Sequence, residues 1–357
     1  MRAQLIYNPV AGLRDVLDEL KRVVAYLESE GWQVDLRPTR GGGDATTYAR
    51  EAAANRIDVV VAVGGDGTLG EVANGLMGSE CAMGVLPAGT SNVWAHMLGL
   101  PVWSPVHTFA LMDAAKILVE GRTRPIDLGR ANSRHFVLWS GVGFDAQVTH
   151  DVEPHLDVKR RLGKFAYLVA ALAESFVMRG TRMTVVVDGR AIRQRAILVL
   201  VANAQLYGSQ WRVAPYAQLD DGLLDVYVFK GGNTLDVFRH LGAILLGTHV
   251  QDPKVDAYRA RRVEISADTP LPLHTDGDPA GHTPVTITVV PKVLKVIVPQ
   301  WTSGSLFEGD ASVSGQEPSL TQRIAERLRY EREQWRRESE RIIEDWERRL
   351  HPPDDRK

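Results

Sequence analysis

The run Gly-Gly-Asp-Gly-Thr at residues 64–68 has the residue types of a phosphate-binding turn. Its three glycines let backbone N–H groups approach phosphate oxygens without obstruction by Cβ atoms, and the N-terminus of a following helix adds partial positive charge. Asp66 adds a carboxylate suited to binding magnesium or to polarising an acceptor hydroxyl. Asp-Gly is also common in turns whose role is structural, and the run matches neither a Walker A loop nor a Gly-x-Gly-x-x-Gly fingerprint.

Two further turn sequences follow predicted strands, at residues 8–12 (Asn-Pro-Val-Ala-Gly) and 87–92 (Pro-Ala-Gly-Thr-Ser-Asn). Each one alone is more typical of turn chemistry than of a binding site. The carboxyl ends of parallel strands share one edge of the sheet, however, and doubly wound folds bind ligands there. Together with Thr39, at the end of another predicted strand, the turns indicate one nucleotide-binding edge.

Three polar turns lie farther along the chain, at residues 140–146, 218–225 and 274–278. Adjacent carboxylates, as in Gln-Leu-Asp-Asp-Gly-Leu-Leu-Asp at 218–225, suit a cation with oxygen ligands. In His-Thr-Asp-Gly-Asp at 274–278, Asp278 is a candidate general base. The structural alternatives, Asx turns and a hairpin tip, stay open for all three.

Strand and helix patterns alternate over residues 1–122, which predicts an α/β domain with a parallel sheet covered on both faces. The β-branched run at 57–63 is typical of a strand buried on both sides. The other predicted strands are 4–7, 32–37 and 83–86, and the predicted helices are 13–30, 44–55 with Asp44 as its cap, and 69–77.

Residues 123–300 read mostly as strands joined by turns, which predicts a β-rich domain with a sandwich architecture. The predicted strands are 126–130, 134–139, 182–187, 193–202, 223–229, 261–266, 285–290 and 293–298, and the predicted helices are 162–179 and 235–246. The apolar part of the first helix is either a core helix with solvated ends or a membrane-facing surface, because basic residues flank it at Lys159, Arg160, Arg161, Lys164 and Arg179.

The end of the chain differs in composition from both domains. Residues 301–319 are poor in large apolar side chains and predict a linker, and residues 320–351 predict a helix rich in Arg and Glu. That helix is either solvated and stabilised by i,i+4 ion pairs or a coiled coil that forms a homodimer.

Length, charge and cysteine content restrict the kinds of protein that this chain could be. The 357 residues suffice for two domains, and the net charge of −2 argues against nucleic acid as a partner. One cysteine, Cys81, excludes an internal disulfide. With no leader pattern and no apolar run near the ~20 residues of a membrane helix, we expect a cytoplasmic protein whose membrane contact is peripheral, at the inner membrane surface.

Taken in order, these motifs resemble the diacylglycerol kinase catalytic-domain family, which also covers ceramide kinases, sphingosine kinases and bacterial lipid kinases. The resemblance spans residues 1–299, and the combination of its motifs is highly specific. It implies an N-terminal nucleotide-binding domain related to phosphofructokinases and NAD kinases, a β-sandwich C-terminal domain and a site between them. It also implies Mg²⁺-dependent transfer of the ATP γ-phosphate to the hydroxyl of diacylglycerol or a related lipid alcohol.

The resemblance assigns roles to individual residues. It implies that ATP is held by Asn8, Pro9, Val10, Ala11, Gly12, Thr39, Gly64, Gly65, Asp66, Gly67, Thr68, Leu69, Gly70 and Thr90. A structural magnesium would be held by Gln218, Asp221 and Leu223, the outer two through backbone carbonyls. The catalytic residues would be Asp66, near the transferred phosphate, and Asp278, the proton acceptor.

Three positions depart from the family pattern. Asp278 stands where the family usually has Glu, which shortens the reach of the carboxylate by about 1.5 Å. Gly70 replaces a frequent Asn, and Val93 a frequent Asp. Two alternatives stay open. One is an NAD-kinase-like phosphotransferase, which shares Gly-Gly-Asp-Gly, and the other is a non-catalytic nucleotide-binding regulator, which the departures at Asp278 and Val93 suggest.

Overall fold

The computed structural model describes residues 1–12, 15–105, 107–144, 146, 180–208 and 211–308. The N-terminal part contains four parallel strands in the order β2-β1-β3-β4. These strands are β1 (Arg2–Tyr7), β2 (Gln33–Pro38), β3 (Val59–Gly64) and β4 (Ala82–Pro87). Every residue of β3 and β4 is buried, which agrees with the continuous apolar run predicted for the first of them.

Helices cover both faces of this sheet. They are α1 (Leu17–Ser29), α2 (Asp44–Ala54), α3 (Asp66–Leu76), α4 (Val93–Leu98) and α5 (Ala110–Glu120). Buried side chains of α1 and α5 pack in one core cluster, and those of α2 and α3 pack in another. The predicted α/β domain is therefore confirmed, although neither α4 nor α5 was predicted from the sequence.

The sequence predicts Asp44 as the cap of α2, and the structure shows that it is not the cap. The cap is Gly43, with a φ of +86°, and Asp44 is already the first helical residue. Its carboxylate turns back to accept hydrogen bonds from the backbone N–H groups of Arg40 and Gly41, at 2.8 and 3.2 Å. The residue thus organises the loop before the helix, while its negative charge stays near the positive end of the helix dipole.

The rest of the described chain is mainly antiparallel sheet with one long helix. Its strands are β5 (Arg122–Ala131), β6 (Arg134–Phe136), β7 (Trp139–Gly143), β8 (Thr181–Val187), β9 (Arg190–Ala202), β10 (Leu206–Tyr207), β11 (Trp211–Arg212), β12 (Leu224–Lys230), β13 (Val255–Ala260), β14 (Arg262–Ala267), β15 (Pro272–Thr275), β16 (Asp278–His282) and β17 (Val285–Val298), and its helix is α6 (Thr234–Leu246). Two 3₁₀ turns follow, His249–Gln251 and Gly304–Leu306. The predicted β-rich character and the helix at 235–246 are confirmed.

One long strand connects the two parts. β17 pairs with β5 along most of its length, and its end also pairs in parallel with β4, at Lys295 and Val296. The described strands therefore form a continuous sheet of 15 strands and a separate two-stranded hairpin. The predicted domain boundary at residue 122 stays a prediction. It falls at the start of β5, and β17, the partner of β5, also pairs with β4 of the N-terminal part.

Four sequence predictions in this region need correction. The predicted strand 134–139 is interrupted after Phe136, and the predicted strands 285–290 and 293–298 are halves of β17, whose register shifts between Val290 and Leu294. The start of the predicted linker is packed, because Leu306 and Phe307 are buried and the Leu306 carbonyl accepts a hydrogen bond from the Leu219 N–H at 2.8 Å.

Several predictions fall on residues outside the described ranges. They are the helix at 162–179 with its flanking basic residues, Asp145, the linker beyond residue 308 and the helix at 320–351. Among the helices that the structure describes, none has the length and apolar character needed to cross a bilayer.

Candidate active site

Three of the predicted turns meet at the carboxyl edge of the parallel sheet. Gly12 has a φ of +72°, and a Cβ atom there would collide with the carbonyl oxygen of Ala88. A Cβ atom on Gly89 would lie 2.8 Å from the backbone nitrogen of Gly65. Glycine is needed at these positions because the backbones approach so closely. The turns after β1, β3 and β4 therefore form one continuous surface of backbone.

The other predicted nucleotide contacts surround this surface. The Asn8 side chain accepts a hydrogen bond from the backbone of its own turn at 3.0 Å, and the Thr39 N–H binds the end of β1 at 2.9 Å. Thr68 and Leu69 are buried, so they could offer a ligand little beyond backbone atoms. The remaining members lie in the same turns or along the start of α3: Pro9, Val10, Ala11, Gly64, Gly67, Gly70 and Thr90.

Asp66 links the glycine-rich turn to the next helix. Its carboxylate oxygens accept hydrogen bonds from the backbone N–H groups of Val93 and Trp94 at the start of α4, at 3.0 and 3.1 Å. Burial raises the pKa of Asp66, while these N–H groups act in the opposite direction. Part of this residue stays accessible, and it borders the cleft described below.

Asp276 forms the tip of the β15–β16 hairpin. Asp276 and Gly277 both have positive φ, +51° and +88°, as a two-residue type I′ turn requires. The Asp276 carboxylate accepts three backbone N–H groups, from Val137, Leu138 and Trp139, at 2.7, 2.9 and 3.0 Å. These bonds take the backbone out of strand pairing, which explains the interruption between β6 and β7.

A cleft of about 430 Å³ separates this hairpin from the parallel-sheet domain. One wall comes from α2 and α3, with Thr46, Arg50, Asp66, Gly67, Gly70, Glu71, Asn74 and Met77. The other wall comes from the β5–β6 turn and the β15–β16 hairpin, with Ser133, Arg134, His135, Thr275, Asp276 and Asp278. A Cβ atom on Gly70 would lie 3.7 Å from Asp276 Oδ2, so the walls nearly touch at this point.

Asp278 is the first residue of β16 and faces the same cleft. Its Oδ2 accepts a hydrogen bond from Arg134 Nη2 at 2.6 Å. Arg134 Nη1 also donates to the carbonyl oxygen of Pro279 at 2.9 Å. The structure therefore brings the two predicted catalytic residues, Asp66 and Asp278, to opposite walls of one cleft.

The predicted magnesium ligands do not line this cleft. The Asp221 carboxylate accepts the Leu223 N–H through Oδ1 at 2.9 Å and forms an ion pair with Arg259 through Oδ2. The cluster lies at the start of β12, and within the described ranges no three His, Cys, Asp or Glu residues are grouped as metal ligands. The roles of Gln218, Asp221 and Leu223 stay a prediction.

Two other buried carboxylates stand beside this turn. Asp127 accepts N–H groups of Gly222 and Lys292, at 2.6 and 2.7 Å, and burial raises its pKa. Burial also raises the pKa of Asp225 to about 7. The region is therefore rich in carboxylate oxygen, the kind of ligand that hard cations prefer.

Comparison with known proteins agrees with this architecture. Residues 2–131 match the diacylglycerol kinase catalytic domain, and residues 140–298 match the YegS C-terminal NAD kinase beta sandwich-like domain. A diacylglycerol kinase of Bacillus subtilis (strain 168) is 31% identical over 301 residues, which cover 84% of this chain and 97% of that protein. The chain belongs to the diacylglycerol kinase family.

Other members of the diacylglycerol kinase family agree with this assignment. A diacylglycerol kinase of Staphylococcus aureus (strain MRSA252) is 29% identical over 300 residues, covering 84% of this chain and 92% of that protein. The crystal structure of a diacylglycerol kinase from Bacillus anthracis str. Sterne superimposes with a TM-score of 0.69 at 27% identity, over 84% of this chain and 97% of that chain. The predicted family and fold class are confirmed, and lipid kinase activity is supported at the level of the family.

Sequence reasoning named Gly67 and Gly70 but missed several other residues of the cleft in this diacylglycerol kinase family member. Glu71 and Asn74 follow these glycines with the i, i+3, i+4, i+7 spacing of one helix face, which could have indicated a shared wall. Arg50 lies on the neighbouring helix α2 and also borders the cleft. Arg134 and Asp276 carried no comparable pattern, because their partners are distant in sequence.

Asp276 should make folding stability depend on pH. Burial raises its pKa to about 6, above the value of about 3.9 in an unfolded chain, so the folded state binds more protons between these values. The contribution of this raised pKa to stability should therefore be greatest at low pH and should be lost as pH rises through 6. The free energy of unfolding in urea should be measured for the wild type and Asp276→Asn at pH 5.0 and 7.5. The wild type should gain about 1 kcal/mol relative to the variant at the lower pH. The same difference at both pH values would contradict a raised pKa.

Proposed function

We propose that this protein transfers the γ-phosphate of ATP to the hydroxyl group of diacylglycerol or a related lipid alcohol. The main support is that Asp66 and Asp278, from different parts of the chain, border one cleft next to a surface of glycine-rich backbone. Such a surface suits phosphates, and carboxylates beside it suit the activation of an acceptor hydroxyl. Membership of the diacylglycerol kinase family supports the lipid acceptor.

The proposed reaction is an in-line displacement at the γ-phosphorus. The turns after β1, β3 and β4 would bind the phosphates through backbone N–H groups. The lipid oxygen forms a bond to the γ-phosphorus as the bond to the β-phosphate oxygen breaks, and ADP leaves. Asp278 would accept the hydroxyl proton, and Asp66 would stand near the transferred phosphate. Mg²⁺, when bound with ATP, would neutralise charge on the phosphates.

The lipid acceptor implies peripheral contact with a membrane. The sequence offers one candidate for that contact, the apolar helix flanked by Lys159, Arg160, Arg161, Lys164 and Arg179, with a core helix as the alternative. These residues lie outside the described ranges.

The proposal is tested by measuring phosphate transfer from labelled ATP in the presence of Mg²⁺. The protein is given diacylglycerol, ceramide, sphingosine and NAD in parallel assays, with the lipids in mixed micelles. Transfer to a lipid is expected. Transfer to NAD alone would replace the proposal with NAD kinase activity. ATP binding without transfer to any acceptor would indicate a non-catalytic regulator, and restored transfer in Asp278→Glu would then identify the shorter side chain as the cause.

A structural magnesium site at Gln218, Asp221 and Leu223 is part of the proposal. All its ligand atoms are oxygens, as Mg²⁺ prefers, so the residues fit the ion in kind. Arg259 pairs with Asp221 Oδ2, and the ion would take the place of its guanidinium. The buried oxygens of Asp127 and Asp225 nearby support a cation in this region.

Binding at this site should be visible as thermal stabilisation. At a Mg²⁺ concentration about tenfold above Kd, the wild-type Tm should rise by roughly 3 °C, because the ion binds the folded state alone. Asp221→Asn should lose this rise, and the matched variant Asp268→Asn, whose exposed carboxylate pairs with Arg193 at 3.7 Å, should keep it. Differential scanning fluorimetry at constant ionic strength measures the shift. An equal rise in Asp221→Asn would place the ion elsewhere.

A further inference from the structure

Arg134 reaches across the cleft wall to the side chain of Asp278. Its Nη2 binds Asp278 Oδ2 at 2.6 Å, and its Nη1 binds the Pro279 carbonyl oxygen at 2.9 Å. Asp278 Oδ1 accepts no hydrogen bond from the described part of the chain. We infer that Arg134 is a positioning residue: it holds one oxygen of Asp278 and leaves the other to accept the hydroxyl proton. This inference rests on the proposed function.

The backbone that carries Arg134 is fixed on both sides. Arg134 follows the turn of the β5–β6 hairpin, and in that turn the Asn132 N–H donates to the Thr286 carbonyl at 2.9 Å. The Thr286 N–H donates in return to Asn132 Oδ1 at 3.1 Å. Two residues after Arg134, the Phe136 ring packs directly on the backbone of Gly129. The Arg134 side chain is therefore attached to a backbone segment that is fixed on both sides.

The backbone that carries Asp278 is fixed to the same unit. Asp276, two residues earlier, accepts three N–H groups from the segment after β6. The hairpins that carry Arg134 and Asp278 are therefore held together by the Asp276 carboxylate as well as by this ion pair. The remaining freedom lies in the side-chain torsions of Asp278, and the forked guanidinium restrains them by binding both the carboxylate and the adjacent carbonyl.

The exposure of the Arg134–Asp278 ion pair allows a role in positioning to be distinguished from a role in folding stability. The side chains of Arg134 and Asp278 are 44% and 49% exposed, and ion pairs as exposed as this add little to folding stability. A reacting carboxylate, by contrast, needs its orientation defined within about 10–20°. Loss of Arg134 should therefore lower turnover while the melting temperature changes little.

The test compares Arg134→Gln, Arg134→Lys, Asp278→Asn and the double variant Arg134→Gln/Asp278→Asn in the lipid phosphorylation assay. We expect kcat to fall roughly 10- to 100-fold in Arg134→Gln, with the KM for ATP within about twofold of the wild type. Arg134→Lys should be intermediate, since an ammonium group lacks the fork. The double variant should be no slower than Asp278→Asn. Arg262→Gln, which breaks the similarly exposed pair with Glu264, is the matched control and should keep wild-type turnover.

Three results would overturn the inference while leaving lipid kinase activity in place. They are an unchanged kcat in Arg134→Gln, with or without a raised KM for ATP, losses that multiply in the double variant, and wild-type turnover in Asp278→Asn. A melting temperature far below that of Arg262→Gln would make the role structural and would also overturn it. Failure of the wild type with every lipid would instead reject the proposed function, and the inference with it.

Discussion

Asp66→Asn is expected to lower kcat for lipid phosphorylation by at least about 100-fold in a protein that still folds. The substitution keeps the size of the side chain but removes its charge beside the proposed position of the transferred phosphate. Turnover measured with saturating ATP, together with circular dichroism and the melting temperature, separates loss of activity from loss of fold. Some loss of stability is expected, because the amide offers a single oxygen to the N–H groups of Val93 and Trp94.

Asp188→Asn is the matched control for that experiment. The Asp188 carboxylate also accepts backbone N–H groups of two consecutive residues, Arg261 and Arg262, at 2.8–3.2 Å, but it does not border the cleft. A similar fall in melting temperature with normal turnover is expected for this variant. Near-normal turnover of folded Asp66→Asn would reduce Asp66 to a structural link between α3 and α4.

Gly89→Ala should have the second large effect, on the surface that is proposed to bind the nucleotide. Its Cβ atom would lie 2.8 Å from the backbone nitrogen of Gly65 and nearer still to the Gly65 Cα. Backbone atoms cannot move aside as a flexible side chain can, so the turns after β3 and β4 would be forced apart. A displacement of about 1 Å at a reacting centre can cost about 100-fold in rate, and a loss of that size is expected in kcat/KM for ATP.

The loss in Gly89→Ala should exceed what its stability explains. Overpacking typically costs about 1–3 kcal/mol, which a stable domain tolerates. Gly242→Ala is the control, since nothing beyond its chain neighbours and the backbone of its own helix lies within 4 Å of its Cβ position in α6, and alanine should stabilise that helix by about 1 kcal/mol. ATP binding by calorimetry and steady-state kinetics would be measured on both variants. Normal ATP kinetics in folded Gly89→Ala would show that the paired turns do not hold the nucleotide.

Much of the N-terminal architecture could be predicted because its determinants are local. The β-branched run of β3 and the turns after β1, β3 and β4 are each readable within a few residues. Parallel strands then bring their carboxyl ends to one edge, so nearby placement of the turns followed from topology. The same local reading failed for the short helix α4, whose start is defined by contacts with Asp66 rather than by a side-chain cap of its own.

The opposite wall of the cleft depended on contacts between distant parts of the chain. Asp276 binds residues nearly 140 positions earlier, with sequence separations of 137–139, and Arg134 meets Asp278 at a separation of 144. Sequence spacing describes one strand or helix at a time and carries no information on which hairpins pack together. The pattern at 134–139 therefore predicted one strand, whereas the Asp276 carboxylate divides it.

The sequence by itself determined the family, the α/β and β-rich parts of the chain, and the glycine-rich turns at the sheet edge, because these depend on residue type and short-range spacing. Only the tertiary structure decided that Asp66 and Asp278 border one cleft, that Arg134 holds one oxygen of Asp278, and that β17 joins both parts of the sheet. These features arise from the packing of elements far apart in the chain, where the position of a side chain depends on the backbone of its neighbours.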